Sequence, residues 1–315
     1  MPSLDLHPAS PEERLAAYRN VHDVWGGGLT LEQHVERRLA SVQHNRADWY
    51  VGRLDDRVVA SLAAYPLEFH LRGDVVPGFS IGSVHTLADY RGRGFAAELI
   101  AYVEATRRAQ EARIALLYSD IACGYYARLG YVECPAWWGS RRAEKDDGAA
   151  AWRLAACSPE QSLEALQRMY RDFHARHPIA VARNVDYWRH TLEKGAGDEF
   201  LWVVDAANER RGYVRLRRID SAVRILDFAF AADCVDGPDA EANRETLLRK
   251  VLDHAARQGA ERVEGWFPDW PAAQNLFSLR PREQEITMLK SLDENIVLDD
   301  TLIACTHWFC EIDHV

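Results

Sequence analysis

Residues 83–96 run Ser-Val-His-Thr-Leu-Ala-Asp-Tyr-Arg-Gly-Arg-Gly-Phe-Ala. An apolar stretch leads into a turn with two glycines, and an amphipathic stretch follows. Such a turn sets consecutive backbone N–H groups at the start of a helix, where the macrodipole favours an anion. Gly92 and Gly94 let the backbone approach a bound group closely, and Arg91 and Arg93 add positive charge beside it. The chemistry on offer is that of a diphosphate cradle. A Walker loop would need Gly-Lys-Ser/Thr, which is absent. A Rossmann site would need Gly-x-Gly-x-x-Gly inside a βαβ unit. Here Arg-Gly-Arg-Gly-Phe-Ala follows runs that read as antiparallel hairpins.

A strand before the turn and a helix after it must hold it. Residues 79–87 are apolar and continuous enough for a central strand. Leu99, Ile100, Val103 and Thr106 then share one face of a helix. Residues 114–118 read as a buried strand, 119–124 as a loop, and 125–129 as a short helix that Gly130 ends. Another strand begins at Tyr131. Upstream, helices are predicted at 11–18 and 29–42, the second opened by a Thr30/Gln33 capping box. Strands are predicted at 49–54, 58–67 and 69–76. The polar stretch 141–152 marks the expected boundary, giving domains 1–145 and 146–315. The second half repeats the order, with helices at 159–174, 185–193 and 241–258 and strands at 200–205, 212–218, 223–230 and 262–267. It lacks the glycine-rich turn. Residues 283–315 carry eight acidic residues and one lysine and read as an acidic tail. The predicted class is α+β/α/β, two units in tandem, each a mixed, mostly antiparallel sheet flanked by helices.

The 83–96 segment resembles motif A of the GNAT acyltransferase superfamily, Gln/Arg-x-x-Gly-x-Gly/Ala, with Arg91, Gly94 and Ala96 in its three positions. About 30 residues on, Tyr125-Tyr126-Ala127-Arg128-Leu129-Gly130-Tyr131 resembles that superfamily's second signature. The resemblance covers roughly residues 10–140. It implies an acyl-CoA pyrophosphate at Arg91, Gly92, Arg93, Gly94, Phe95 and Ala96. It implies that Val84, His85 and Thr86 splay from the next strand and bind the pantetheine arm, one backbone N–H polarising the thioester carbonyl. Ser119 would also touch CoA, and Tyr126 would protonate the departing thiolate. The glutamate that many members carry on the fourth strand is missing. His85 and Asp120 are the candidate bases, His85 by strand position and ordinary pKa. Cys123 is not expected to act as a nucleophile, since no activating base stands near it.

Two halves of this kind resemble the enhanced-intracellular-survival acetyltransferases, and Leu-Tyr-Ser-Asp-Ile-Ala-Cys-Gly-Tyr-Tyr-Ala-Arg-Leu-Gly-Tyr (117–131) resembles fungal lysine N6-acetyltransferases. The implied activity is transfer of an acetyl group from acetyl-CoA to a primary amine of a small molecule, lysine or a lysine-like amino acid. Protein lysines and non-catalytic acyl-CoA binding are the alternatives. The second half would wall the acceptor site or mediate a homodimer, and Asp23, Trp25 and Trp137-Trp138 are acceptor-side candidates.

The net charge of −10 argues against a nucleic-acid partner, which would call for a basic face. No stretch of about 18 apolar residues suggests a membrane span, and the first residues do not read as a signal peptide. A cytoplasmic location is expected. The six cysteines form no zinc-type ladder, so no metal is expected.

Overall fold

The computed structural model describes residues 4–146, 152–235 and 238–315. Among them, fifteen strands form two sheets. In chain order they are β1 (Asp5–Pro8), β2 (Asp48–Leu54), β3 (Arg57–Leu71), β4 (Asp74–Thr86), β5 (Ile114–Ser119), β6 (Val132–Glu133), β7 (Trp137–Arg142) and β8 (Trp152–Ala156). The rest are β9 (Ile179–Ala182), β10 (Glu199–Asp205), β11 (Arg210–Ile219), β12 (Ala222–Phe230), β13 (Arg262–Trp266), β14 (Ser278–Pro281) and β15 (Ile286–Ser291). The first sheet runs β1-β2-β3-β4-β5-β15-β6, with β9 added along β3; the second runs β14-β7-β13-β12-β11-β10-β8.

Each sheet is antiparallel except at one seam. β4 and β5 are parallel across Gly78↔Ile114 to Ile81↔Leu117, and β12 and β13 across Ala222↔Arg262 to Ile225↔Gly265. A long helix joins each parallel pair, Phe95–Ala109 in the first half and Ala240–Arg257 in the second, as a parallel crossover requires. Two tandem mixed sheets flanked by helices agree with the fold class read from the sequence.

The halves exchange a strand. β15 lies between β5 and β6 in the first sheet, while β7 lies between β13 and β14 in the second. The division at residue 145 is therefore crossed in both directions. Each half fills a gap in the other's ladder, so edges that would stay open in isolation are paired.

Residues predicted as a strand at 69–76 divide between the end of β3 and the start of β4. The turn falls at Arg72-Gly73, both at positive φ (52° and 97°), as a two-residue hairpin loop needs. β9 pairs with β3 from Glu68 to Leu71 and holds the strand extended past the expected break. β1, β7, β8, β9, β14 and β15 were not predicted. The capping box at Thr30 and Gln33 forms, opening the helix Leu31–Leu39.

The segment expected as an acidic tail is folded in. Met288 and Leu289 are fully buried. Asp299 caps the helix Asp300–Ala304 by accepting from the Leu302 N–H at 2.9 Å, and Asp293 accepts from Arg113 Nε at 2.6 Å. His307, Trp308, Glu311 and Asp313 lie on the short 3-10 turns Cys305–Trp308 and Glu311–Asp313. Asp313 is buried against Arg183, whose guanidinium also holds Asp227.

Candidate active site

β4 carries a bulge where the parallel seam ends. Ser61 of β3 faces His85 and Ala63 faces Gly82, so Ser83 and Val84 together stand opposite Leu62. Ser83 takes φ 50°, a left-handed conformation that costs a non-glycine residue about 1–2 kcal/mol. The bulge turns β4 away from β5, and their pairing stops at Ile81↔Leu117. From Gly82 to Thr86 the β5 side of β4 is free of the ladder. The splay inferred for Val84, His85 and Thr86 is thus a backbone feature of the chain.

Beside the splay lies a cavity of about 510 Å³. Val84, His85, Thr86 and Tyr126 contribute to its wall, and so do Arg91, Gly92, Gly94, Phe95 and Ala96. Gly94 is the N-cap of helix Phe95–Ala109 at φ 86°, with no side-chain cap. Its own carbonyl takes the Glu98 N–H at 3.0 Å, which leaves the earlier N–H groups of the first turn without helical partners. Gly92 also has positive φ, 75°. The glycines serve backbone conformation here: a Cβ at Gly92 would meet nothing within 4 Å. Uncapped N–H groups at a helix start, open to a cavity, suit an anionic group.

The two arginines differ. Arg91 lines the cavity and donates from Nε to the Thr86 carbonyl at 3.0 Å. Arg93 does not line it; its Nη2 donates to the Asp89 carbonyl at 3.1 Å and its guanidinium lies over the Tyr90 ring. Ser119 is also outside the wall. Its hydroxyl donates to the Ile121 carbonyl at 2.8 Å and accepts from the Ile121 N–H, so it serves the loop.

Tyr126 is buried, edge-on to Tyr125 at 5.1 Å and to Tyr131 at 6.0 Å. Burial, with Tyr125 and Asp120 adding to it, pushes its phenol up to about 12, so it keeps its proton at neutral pH. His85 is buried with its ring 6.3 Å from that of Trp25. Burial first, then Arg91, holds its pKa below the usual imidazole value against the opposing pull of Asp23. It is neutral at pH 7 and can accept a proton. Asp120 lines the cavity, and its Oδ1 accepts from the Glu285 N–H at 3.1 Å. Burial and Glu133 push the Cys123 thiol up to about 11, away from a nucleophilic thiolate.

Of the acceptor-side candidates, Trp25 lines the cavity. Asp23 projects into solvent. Trp137 and Trp138 sit on β7 in the second sheet, Trp138 under the Arg224 guanidinium at 4.8 Å. Sequence reasoning passed over Tyr118, which lines the cavity and packs on Trp266 and His314 at 5.4 and 4.9 Å. Val315 also comes close, its side chain lying beside Gly82. The short apolar run of β15 was a signal that its acidic flanks hid.

A splayed parallel seam, a bulged strand and an uncapped glycine turn meet at one cavity. Residues 5–134 match the family model described as an acetyltransferase (GNAT) domain. The chain carries that acetyltransferase domain over residues 5–134, the part that holds the cavity. No curated relative matches the sequence. Among solved structures, the fold is similar to a probable N-acyltransferase from Enterococcus faecalis (TM-score 0.71, 14% identity, 92% of this chain and 73% of that one). It is similar to Eis1 from Mycobacterium abscessus (TM-score 0.60, 18% identity, 92% and 74%). It is also similar to N-myristoyltransferase from Saccharomyces cerevisiae, solved with myristoyl-CoA (TM-score 0.60, 12% identity, 92% and 83%). At these identities the likeness is one of fold. No helix among the described residues is long and apolar enough to cross a membrane.

Proposed function

We propose that the protein transfers an acetyl group from acetyl-CoA directly to the primary amine of a small molecule, lysine or a lysine-like amino acid, in a ternary complex. The observation that carries this reading is the joining of the uncapped Gly94 turn, the free edge of β4 and the Tyr126 phenol in one cavity. The turn would hold the pyrophosphate with backbone N–H groups, and Arg91 would add charge. The free backbone of Val84–Thr86 would hold the pantetheine arm and polarise the thioester carbonyl.

The neutral amine attacks that carbonyl, the tetrahedral intermediate collapses, and the C–S bond breaks. His85, neutral in its buried setting, takes the amine's proton, with Asp120 the other base within the cavity wall. Tyr126 hydrogen-bonds the developing sulfur. A thiol is more acidic than a phenol at about 12, so that help belongs to the transition state and the phenol recovers its proton afterwards.

The test is release of free thiol from acetyl-CoA against amino acids, polyamines, aminoglycosides and a lysine peptide. Turnover with one free amine is expected. Turnover with the peptide alone would move the assignment to protein lysines. Saturable CoA binding with no turnover against any amine would make the protein a regulator.

A further inference from the structure

The first sheet separates two faces at the splay. Ala115 and Leu117 of β5 pack into the core with helix Phe95–Ala109. Leu116 and Tyr118 turn to the opposite face, toward the second half. Tyr118 also lines the cavity, so it joins the CoA side to whatever lies behind it. Behind it is a polar cluster supplied mainly by the second half and the C-terminal segment.

Arg282 is the unusual member. Its guanidinium carbon lies 3.5 Å from the Trp266 ring centre, and Trp266 packs on Tyr118. Nη2 donates to Thr287 Oγ1 at 2.7 Å, and Thr287 is the β15 residue paired with Tyr118. The strand exchange therefore fixes Arg282 beside Tyr118. Its Nε and Nη1 are buried and, among the described residues, have no hydrogen-bond partner. Tyr118 Oη beside it is likewise buried and unpartnered. Arg224, close by, is held by Glu264 at 2.9 Å and Glu311 at 3.2 Å; Arg282 makes no such ion pair among the described residues, although Glu285 and Glu311 act on it through space. Two buried guanidinium nitrogens left unmade cost more than an ordinary exposed charge. Their fixed fork matches a carboxylate.

The cluster also presents acids. Glu311 Oε2 is buried with no hydrogen-bond partner among the described residues, Glu285 is partly buried with His314 Nε2 3.9 Å from it, and Asp120 reaches the cavity. A site with one unpaired guanidinium and several carboxylates favours a ligand that carries both a carboxylate and an ammonium.

We infer that Arg282, braced on Trp266 and Thr287, forms an acceptor subsite that binds the carboxylate of an amino-acid substrate. This rests on the acyl-transfer reading above and names the feature by which that site selects its acceptor. The acceptor enters from the face opposite the helix that starts at the CoA turn. Its carboxylate meets Arg282, and its amine is directed past Tyr118 toward the splay.

The test compares amines that differ only in the carboxylate: lysine with cadaverine, and ornithine with putrescine. For the wild-type chain, kcat/KM from thiol release is expected to be at least tenfold higher for one amino acid than for its decarboxylated partner. Arg282→Met is expected to bring that ratio close to one, and Arg282→Lys to keep a few-fold preference, since charge stays but the fork is lost. Calorimetric binding of the same four amines in the presence of CoA, without an acyl donor, reads the subsite independently of turnover. A carboxylate preference in binding that Arg282→Met removes supports the subsite even if no acetylation is seen. Equal values for both members of each pair in the wild type overturn it, and so does a preference that survives Arg282→Met. The wild-type comparison stands alone should the variants fail to fold.

Discussion

The two parallel seams are built alike and used differently. In each, a strand leaves its parallel neighbour, passes a 3-10 turn (Ala88–Tyr90 or Ala232–Cys234) and continues into a long helix. In the first half the gap beyond Ile81 opens into a cavity of about 510 Å³. In the second half the gap beyond Ile225 holds a cavity of only about 10 Å³. The chain's own C-terminal segment fills it. Asp313 chelates Arg183 at 2.9 and 2.8 Å, Arg183 Nη1 donates to Asp227 Oδ2 at 2.5 Å, and Tyr213 donates to the same oxygen at 3.0 Å. The turns differ in charge as well. Arginines 91 and 93 precede the first helix, whereas Asp233, Asp239 and Glu241 surround the start of the second. A diphosphate is attracted by one set and repelled by the other. One splay opens into a cavity, and the other is filled by the chain itself.

Breaking the plug should give the largest effect. Arg183→Met leaves Asp227 and Asp313 buried without a cation and should destabilise the fold by about 3–5 kcal/mol, read by chemical denaturation. It should not create a second CoA site. A loss below 1 kcal/mol, or a doubled CoA stoichiometry, would break the comparison.

Next comes Gly94→Trp. The position needs positive φ, and the added ring would stand over the first-turn N–H groups. CoA affinity by calorimetry should fall about a hundredfold, or ~2.7 kcal/mol. Asp239→Trp, at the matching start of the second helix, should leave it unchanged. Similar losses in both variants would mean that the two turns are not functionally distinct.

Tyr126→Phe should lower kcat roughly ten- to a hundredfold, toward the low end of acid–base contributions, with little change in KM for acetyl-CoA. An unchanged kcat removes the phenol from the reaction. The smallest effect concerns the arginine pair. Arg93→Ala should raise KM for acetyl-CoA about twofold, as for an exposed charge, and Arg91→Ala should raise it more, because Arg91 alone of the two lines the cavity. Equal effects would erase the difference in their placement.

Local signals located the turn, its helix and the Tyr125–Gly130 segment, because glycine spacing, helical periodicity and a helix-ending glycine act over a few residues. The Thr30/Gln33 capping box was readable for the same reason. Ser83 shows no bulge in its residue type, since neighbouring β3 residues decide where the register slips. β3 ran past its expected end because a strand more than a hundred residues away pairs with it. Ser119 carried the right residue type for a ligand contact, yet its hydroxyl is taken up by Ile121.

The sequence by itself determined that this chain has a glycine turn at the head of an amphipathic helix, followed by an acyltransferase-like tyrosine segment, in a tandem α and β order. Those features depend on φ preferences and periodicity within short windows. Only the tertiary structure decided that β7 and β15 change places, that the acidic C-terminal stretch is buried, and that Arg282 stands behind Tyr118. These are long-range pairings: which edge a strand completes, and which charge is left without a partner, depend on what the rest of the chain brings to the same place.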